Sequence, residues 1–333
     1  MLLVGEEPAR SAPSRTLAAE LTRLGVDAGF SMGAEWTSTP RWLRLVRRND
    51  AVIFVRYQSD DIHFQRQLHL AGLFGCCVIR WWVGSDVYNC LRSPEAASAA
   101  RELDRAVDLN IAVAAHLVSE LGGIGIHAEH VPSICDLAAI DTVPPPSLPL
   151  SVLTYLPEGR KAFYGEEVLI AAIEANPDLE FIVVSDDSHA LAHYQNVQSV
   201  GWVEEMETVW PRIGVLLRVT EHDGLPRMVL EALARYRYVI YSWPLAGCWL
   251  ARTAGEVLSQ LERFKASQSI NIVGPAAARA IGADAGSRFL QLAESRQRAG
   301  RRPRWSSLRQ AIRCQRRLAA FPPLRRLSRG ARP

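Results

Sequence analysis

The chain has 333 residues, of which 48% are apolar, and its 38 Lys and Arg against 35 Asp and Glu give a net charge of +3. That length exceeds one average domain and supports two cores of about 150 residues each. No apolar run approaches the roughly 20 residues that span a bilayer. The start, Met1–Val4 followed by Gly5, Glu6 and Glu7, lacks the basic opening and long apolar stretch of a signal peptide.

The six cysteines (Cys76, Cys77, Cys90, Cys135, Cys248, Cys314) are scattered rather than regularly spaced. That usage suits buried thiols in a reducing compartment, not a disulfide framework, and predicts a cytoplasmic protein. The overall charge hides an asymmetry. Residues 295–333 carry thirteen Arg and no acid, so against a total of +3 the preceding 294 residues stand at −10.

The first part alternates strands and helices, the pattern of a doubly wound α/β domain. Met1–Gly5 reads as a strand and Ser14–Gly25 as a helix with Leu17, Leu21 and Leu24 on one face and Gly25 ending it. Ala51–Val55 is a buried strand, His63–Leu73 a helix, and Cys76–Trp82 a strand ending in Val83-Gly84-Ser85-Asp86. Ala97–Ala106 is helical, Asn110–Ala115 a strand, His116–Leu121 a short helix and His127–Pro132 a last strand. Ala9–Ser14 is a plain polar turn, so no glycine-rich phosphate loop follows the first strand.

Asp141–Leu150 holds four prolines in ten residues, which makes it a linker and places the domain boundary there. The alternation then restarts: Ser151–Leu156 strand, Gly165–Ala175 helix, Phe181–Ser185 strand, Val197–Val203 strand and turn, Glu204–Trp210 helix. Val215–Ser242 follows as strand, tight turn, helix and strand. Gly224 suits a positive φ, Pro226 a first helical position, and Leu225, Val229 and Leu233 form the buried stripe. Arg252–Ser267 and Gly274–Arg298 read as helices packing on this second domain.

Two acids frame the helix of that segment, Asp223 before its start and Glu231 along its side. A helix N-terminus offers unpaired N–H groups to a phosphate. A carboxylate at its entrance can hold a sugar hydroxyl, and another further along a ribose. Taken singly, Asp223 reads as a turn acid and Glu231 as an exposed helix glutamate; spacing and placement between two buried strands join them.

The run D-G-L-P-R-M-V-L-E-A-L-A resembles the acid-x7-Glu motif of family-4 retaining glycosyltransferases, here Asp223 to Glu231. In that family the first acid, usually Glu, contacts the donor sugar and the second the nucleotide ribose. Val131-Pro132-Ser133-Ile134-Cys135-Asp136 resembles the family's I-P-N-G-V-D, and Trp81–Val87 stands where members carry a histidine-and-glycine-rich turn ending in Asp at the cleft rim near the acceptor. The resemblance covers most of residues 108–245. It departs at Tyr164, which precedes Gly165 where members place the Lys that neutralises the donor diphosphate, and at Tyr236, where Gly is common. The chain has only two lysines, Lys161 and Lys265, which leaves Lys161 with Arg160, or Arg218, as the cation for that role.

The resemblance implies an α/β protein of two Rossmann-like domains facing across a cleft (GT-B) with a helical, Arg-rich tail. The expected divisions are 1–143, a linker at 144–150, a nucleotide-sugar domain at 151–295 and the tail at 296–333. The implied reaction is metal-independent and needs no cofactor beyond the nucleotide-sugar co-substrate. It transfers a sugar to a hydroxyl of a glycan or lipid-linked acceptor with retention, in cell-surface glycan or glycolipid synthesis. Asp223, Arg218 and Asp86 take the catalytic roles, and Glu231, Gly224, Leu225, His222, Arg160 and Lys161 hold the donor. Asp86 also reads as an acid capping the turn after its strand. A nucleotide-sugar epimerase and a silent scaffold partner of the same fold are the alternatives.

In the tail, Trp305, Leu308, Ile312 and Ala319 share a helical stripe flanked by Arg309, Arg313 and Arg316. That pattern suits an anionic membrane surface on the inner face of the cell membrane, or equally a last helix returning to the first domain, with disorder after Pro323. No recognised module marks it for nucleic acid. His127 with His130, and His189 with His193, lack a third metal ligand nearby, and no Gly-x-Ser-x-Gly elbow is present.

Overall fold

A strand buried on both faces of a parallel sheet must be apolar throughout, and a helix of ten or so residues must carry the chain back to start the next one. That cycle occurs twice in the computed structural model, which describes residues 1–5, 13–32, 39–137, 139–140, 143–267, 269–297 and 304–320. The remaining residues, which include most of the Ala9–Ser14 turn and everything after Ala320, lie outside the described set.

The first unit holds β1 (Leu2–Gly5), α1 (Pro13–Arg23), β2 (Gly29–Met32), α2 (Thr39–Arg47), β3 (Ala51–Val55) and α3 (Ile62–Leu73). It continues with β4 (Cys77–Trp82), α4 (Ser85–Arg92), α5 (Pro94–Asp104), β5 (Leu109–Ala112), α6 (Ala115–Gly123) and β6 (Glu129–His130). Its sheet is all parallel in the order β2-β1-β3-β4-β5-β6, with Ala51 opposite Cys77 and Val55 opposite Trp81. Every residue of β3, β4 and β5 is buried. Local chemistry sets the helix starts. Asp61 accepts from the amides of His63 and Phe64 to begin α3, and Ser93 accepts from Ala96 with Pro94 beside it to begin α5.

The second unit holds β7 (Ser151–Tyr155), α7 (Glu166–Ala175), β8 (Glu180–Val184), β9 (Val197–Gly201), β10 (Val215–Arg218), α8 (Arg227–Ala234), β11 (Tyr238–Tyr241) and β12 (Trp249–Leu250). The helices α9 (Ala254–Ser267) and α10 (Gly274–Gly282) complete it. Its sheet is also all parallel, in the order β12-β11-β10-β7-β8-β9.

Three expectations are corrected. The units divide at Val131/Pro132 and again at Ala285/Gly286, not at residues 143 and 295. The segment after β6 belongs to the second unit, where Ile140 enters the core and Ser133 Oγ donates to the Leu225 carbonyl. Conversely, α11 (Ala285–Gln297) and α12 (Trp305–Ala320) belong to the first unit. There Phe289 of α11 is fully buried against Trp81, and α12 lies along α3 with Ser307, Ala311 and Cys314 buried. Secondly, Glu204–Trp210 is not a helix but two 3-10 turns, Met206–Thr208 and Trp210–Arg212, and Pro211 in the second has no N–H to carry a helix on from the first. Thirdly, Ser85–Arg92 is a full helix where only a turn was expected. All six cysteines are free.

Candidate functional site

In an open parallel sheet, ligands bind beyond the carboxyl ends of the strands at the point where strand order reverses. In the second unit that point lies between β7 and β10, since β8 and β9 extend the sheet one way and β11 and β12 the other. The two loops leaving it, 156–165 and 219–226, are tied together. Glu221 N–H donates to the Phe163 carbonyl (2.9 Å). Gly165 sits at φ 71, where a Cβ would lie 2.5 Å from the Val219 carbonyl oxygen, so only glycine lets the loops approach this closely.

Arg218 ends β10 and Asp223 lies in the loop beyond it. Arg218 Nε donates to Asp223 Oδ2 at 2.6 Å, and the two side chains are only 11% and 14% exposed. Burial opposes the Arg218 cation, but the Asp223 carboxylate overrides it and holds the guanidinium pKa above its ordinary value. The guanidinium stands 5.4 Å from the Tyr164 ring centre and 6.0 Å from that of Tyr155. Those two rings meet edge to face at 5.2 Å, and Phe163 packs on Tyr164 at 5.2 Å. Arg160 stacks on Phe163 at 4.2 Å and has no carboxylate partner among the described residues. The switch point thus gathers two arginines, one acid and three aromatic rings.

The candidate cations separate clearly. Lys161 Nζ donates to Asp186 Oδ1 (3.0 Å) and Ser188 Oγ (2.9 Å) and pairs with Glu158 (3.3 Å), beyond the end of β8. Asp186 is fully buried and also accepts from Ser199. Although burial opposes its charge, Lys161 and the serine hydroxyls hold its pKa below the ordinary value. With two carboxylates neutralising it, Lys161 braces the β8 turn, and Arg218 is the cation beside Tyr164, the residue standing in the lysine's sequence place.

Around α8 the details differ from the sequence reading. Gly224 is not among the residues with positive φ. Its amide donates to Asp223 Oδ1 (3.0 Å), and its carbonyl accepts from the Tyr241 hydroxyl (3.0 Å). Pro226 is the N-cap, extended at ψ 133, not the first helical residue, and no side chain caps the helix start. Leu225 is buried, with its carbonyl held by Ser133. His222 is buried edge-on to Trp243. Glu231 pairs with Arg227 one turn earlier (3.2 Å) and accepts a long contact from Cys135 Sγ (3.9 Å). Tyr236 ends the helix at φ 63, the left-handed conformation that explains why glycine is common there.

In the first unit Asp86 is fully buried in the opening turn of α4. Its Oδ1 accepts from the amides of Val83 (3.1 Å), Gly84 (3.0 Å) and Val87 (3.0 Å). Gly84 takes φ 131 to make that possible. Burial raises the Asp86 pKa against the opposing pull of Arg80 and the three amides. Arg80 is buried too, its Nη2 donating to the Tyr57 carbonyl and Ser59 Oγ, both at 2.8 Å, with its plane 3.4 Å over Trp82. Asp86 therefore organises its turn, and none of its surface is open to an acceptor.

The aromatic wall of Tyr155, Phe163 and Tyr164 was not part of the sequence reading. Its one signal was Tyr164 itself, an aromatic directly before the glycine of a close approach.

No family model matches this sequence, and no curated protein does either. Solved structures do. HepE of Anabaena, in complex with UDP and glucose, aligns over 88% of this chain and 99% of its own at 12% identity and a TM-score of 0.64. Sucrose-phosphate synthase of Thermosynechococcus elongatus aligns over 96% and 100% at 14% identity and 0.58. AviGT4, a glycosyltransferase of avilamycin A biosynthesis, aligns over 90% and 99% at 12% identity and 0.59. At such identities the likeness shows the fold, that of the GT-B glycosyltransferases.

Proposed function

We propose that this chain is a glycosyltransferase that moves a sugar from a nucleoside diphosphate to an acceptor hydroxyl with retention at the anomeric carbon. The observation that carries the reading is the Arg218–Asp223 pair at the β7/β10 reversal, backed by Tyr155 and Tyr164. As the donor bond breaks, negative charge grows on the β-phosphate, and preorganised cations and amides stabilise it most when already fixed in place. Arg218 supplies that charge from the strand end, Arg160 from the facing loop, and the uncapped amides at the start of α8 add theirs. In this scheme side chains, not a metal, carry the neutralisation. Asp223 orients the sugar while Arg218 spans acid and phosphate, and Glu231 holds the ribose once it turns from Arg227. Asp86 acts as a positioning residue through the turn it closes.

HepE was solved with UDP-glucose and with UDP, which makes a UDP-sugar the first donor to offer. A glycan or lipid-linked acceptor in cell-surface synthesis on the cytoplasmic side fits the free cysteines and the acceptor-domain resemblance. One observation favours a second reading, a silent relative that binds without turning over: Asp223 is already engaged at 2.6 Å by Arg218, and the family's lysine is absent.

Thermal melting against UDP-, GDP- and ADP-sugars, followed by donor hydrolysis, separates these. One donor class should raise the melting temperature of the wild type, because a ligand of the native state stabilises by mass action. Arg218→Ala should lose that shift. Binding without hydrolysis or transfer supports the silent reading, and no shift with any nucleotide sugar sinks both.

A further inference from the structure

A helix that docks on its own domain ordinarily turns its largest apolar residues inward. The last helix, α12, does the reverse. Its buried row against α3 is small: Ser307 at 2%, Ala311 at 5% and Cys314 at 5% exposure. Its outward row is Trp305 at 72%, Arg309, Ile312 at 44% and Arg316, with Leu308 at 38% on the flank. The inward contacts that hold it are polar and specific. Arg304, just before the helix, bonds to Asp108 and to the Ala106 carbonyl, and Arg66 of α3 donates to Gln315 (3.0 Å). The helix is thus anchored by one face while Trp305 and Ile312 stay in solvent.

Charge points the same way. Neither α12 nor α3 beneath it contains an acid, nor does α2, which packs on α3 and exposes Arg41, Arg44 and Arg47. By sequence, the chain after Ala320 adds Arg325, Arg326, Arg329 and Arg332. No described helix is long and apolar enough to cross a membrane. A second copy of this chain docking by the same face would set arginine rows against each other.

We infer that the outward face of α12 is a docking surface for an anionic phospholipid bilayer. The helix lies in the interface plane, with Trp305, Leu308 and Ile312 in the acyl boundary and Arg309 and Arg316 at the level of the phosphates. The arginine stems reach up while the indole and the branched side chains reach down. Each arginine near such a surface strengthens binding about fivefold at low salt. The inference stands apart from sugar transfer, since it needs no donor.

The test is sedimentation of the full chain with vesicles of phosphatidylcholine alone, or with roughly a quarter phosphatidylglycerol, at about 0.1 M and about 1 M salt. Binding should favour the anionic vesicles at least about tenfold at low salt and weaken as the Debye length shrinks. Trp305→Ala with Ile312→Ser should lower it at least about tenfold without moving the melting temperature, because both side chains are already exposed. Arg309→Glu with Arg316→Glu should erase the preference for anionic lipid. Equal partition into neutral and anionic vesicles overturns the inference. So does binding unchanged by the Trp305/Ile312 double variant, self-association that the double variant abolishes, or an RNA oligonucleotide bound more tightly than the vesicles.

Discussion

Asp86 and Asp223 both stand where a buried parallel strand gives way to a helix, yet their oxygens are used oppositely. Asp86 spends its capacity on three backbone amides and keeps no surface. Asp223 accepts from the Arg218 guanidinium as well as from the Gly224 amide and keeps an edge at the surface. An acid satisfied by its own turn is a structural group, because any ligand would have to displace hydrogen bonds that hold the backbone. An acid satisfied by a side-chain cation is half of a movable pair, and a phosphate can take the cation while a sugar takes the acid. Residue type and topological place are shared; what the lone pairs touch is not.

The largest effect should follow from Asp86→Ala, which orphans three amides and leaves Arg80 buried without its neighbouring acid. About 3–5 kcal/mol of stability should be lost in urea unfolding. A variant of normal stability that fails to transfer sugar would break the contrast, for Asp86 would then be acting on the acceptor. Arg218→Ala should show the opposite pattern. Donor turnover falls about 10²–10³-fold, while stability drops by only about 1–2 kcal/mol because Asp223 keeps an edge in solvent and the Gly224 amide. Gly165→Ala tests the brace between the two loops: the left-handed backbone and the Val219 carbonyl together should cost about 2–3 kcal/mol. If donor affinity survives that substitution intact, the brace has no part in binding.

The two units should also part on acidification. His69 of α3 is buried and its pKa is pulled down to about 4 by that burial, against the attraction of Glu102. Its folded value lies below the unfolded one, so the unfolded chain binds the extra proton. The stabilisation is complete above about pH 6.5 and is lost as pH falls towards 4, up to about 2–3 kcal/mol in the first unit. Asp186 in the second unit has a depressed folded pKa. Its contribution is present above the ordinary carboxylate range and is lost only as pH falls below it. Chemical-shift or hydrogen-exchange reporters in each unit should therefore show the first loosening before the second, and His69→Phe should narrow the gap.

Much of this was legible in the chain. Runs such as Ala51–Val55 and Val215–Leu217 admit no other place than a strand covered on both faces, and the acid spacing marked the loop before α8. What escaped depended on partners far along the chain. The edge strand β2 carries an exposed Phe30 with Arg15 stacked on it, and has no apolar run to announce it. Lys161 and Arg218 looked interchangeable because nothing local shows that Lys161 finds Asp186 across the β8 turn. Tyr155 and Tyr164 come from opposite ends of one loop and meet only when it folds. The small inward row of α12 is likewise invisible to periodicity, which ranks residues by size and expects the large ones inside.

The return of α11 and α12 to the first unit makes residues 132–285 an insertion within it. During synthesis the inserted unit leaves the ribosome complete, whereas the outer one waits for the last seventh of the chain before Phe289 can close over Trp81. A fragment spanning 132–285 should fold alone, and one spanning 1–131 should stay partly open, exposing the sheet face that α11 covers. Termination before α12 is complete would therefore damage the half of the molecule that was made first.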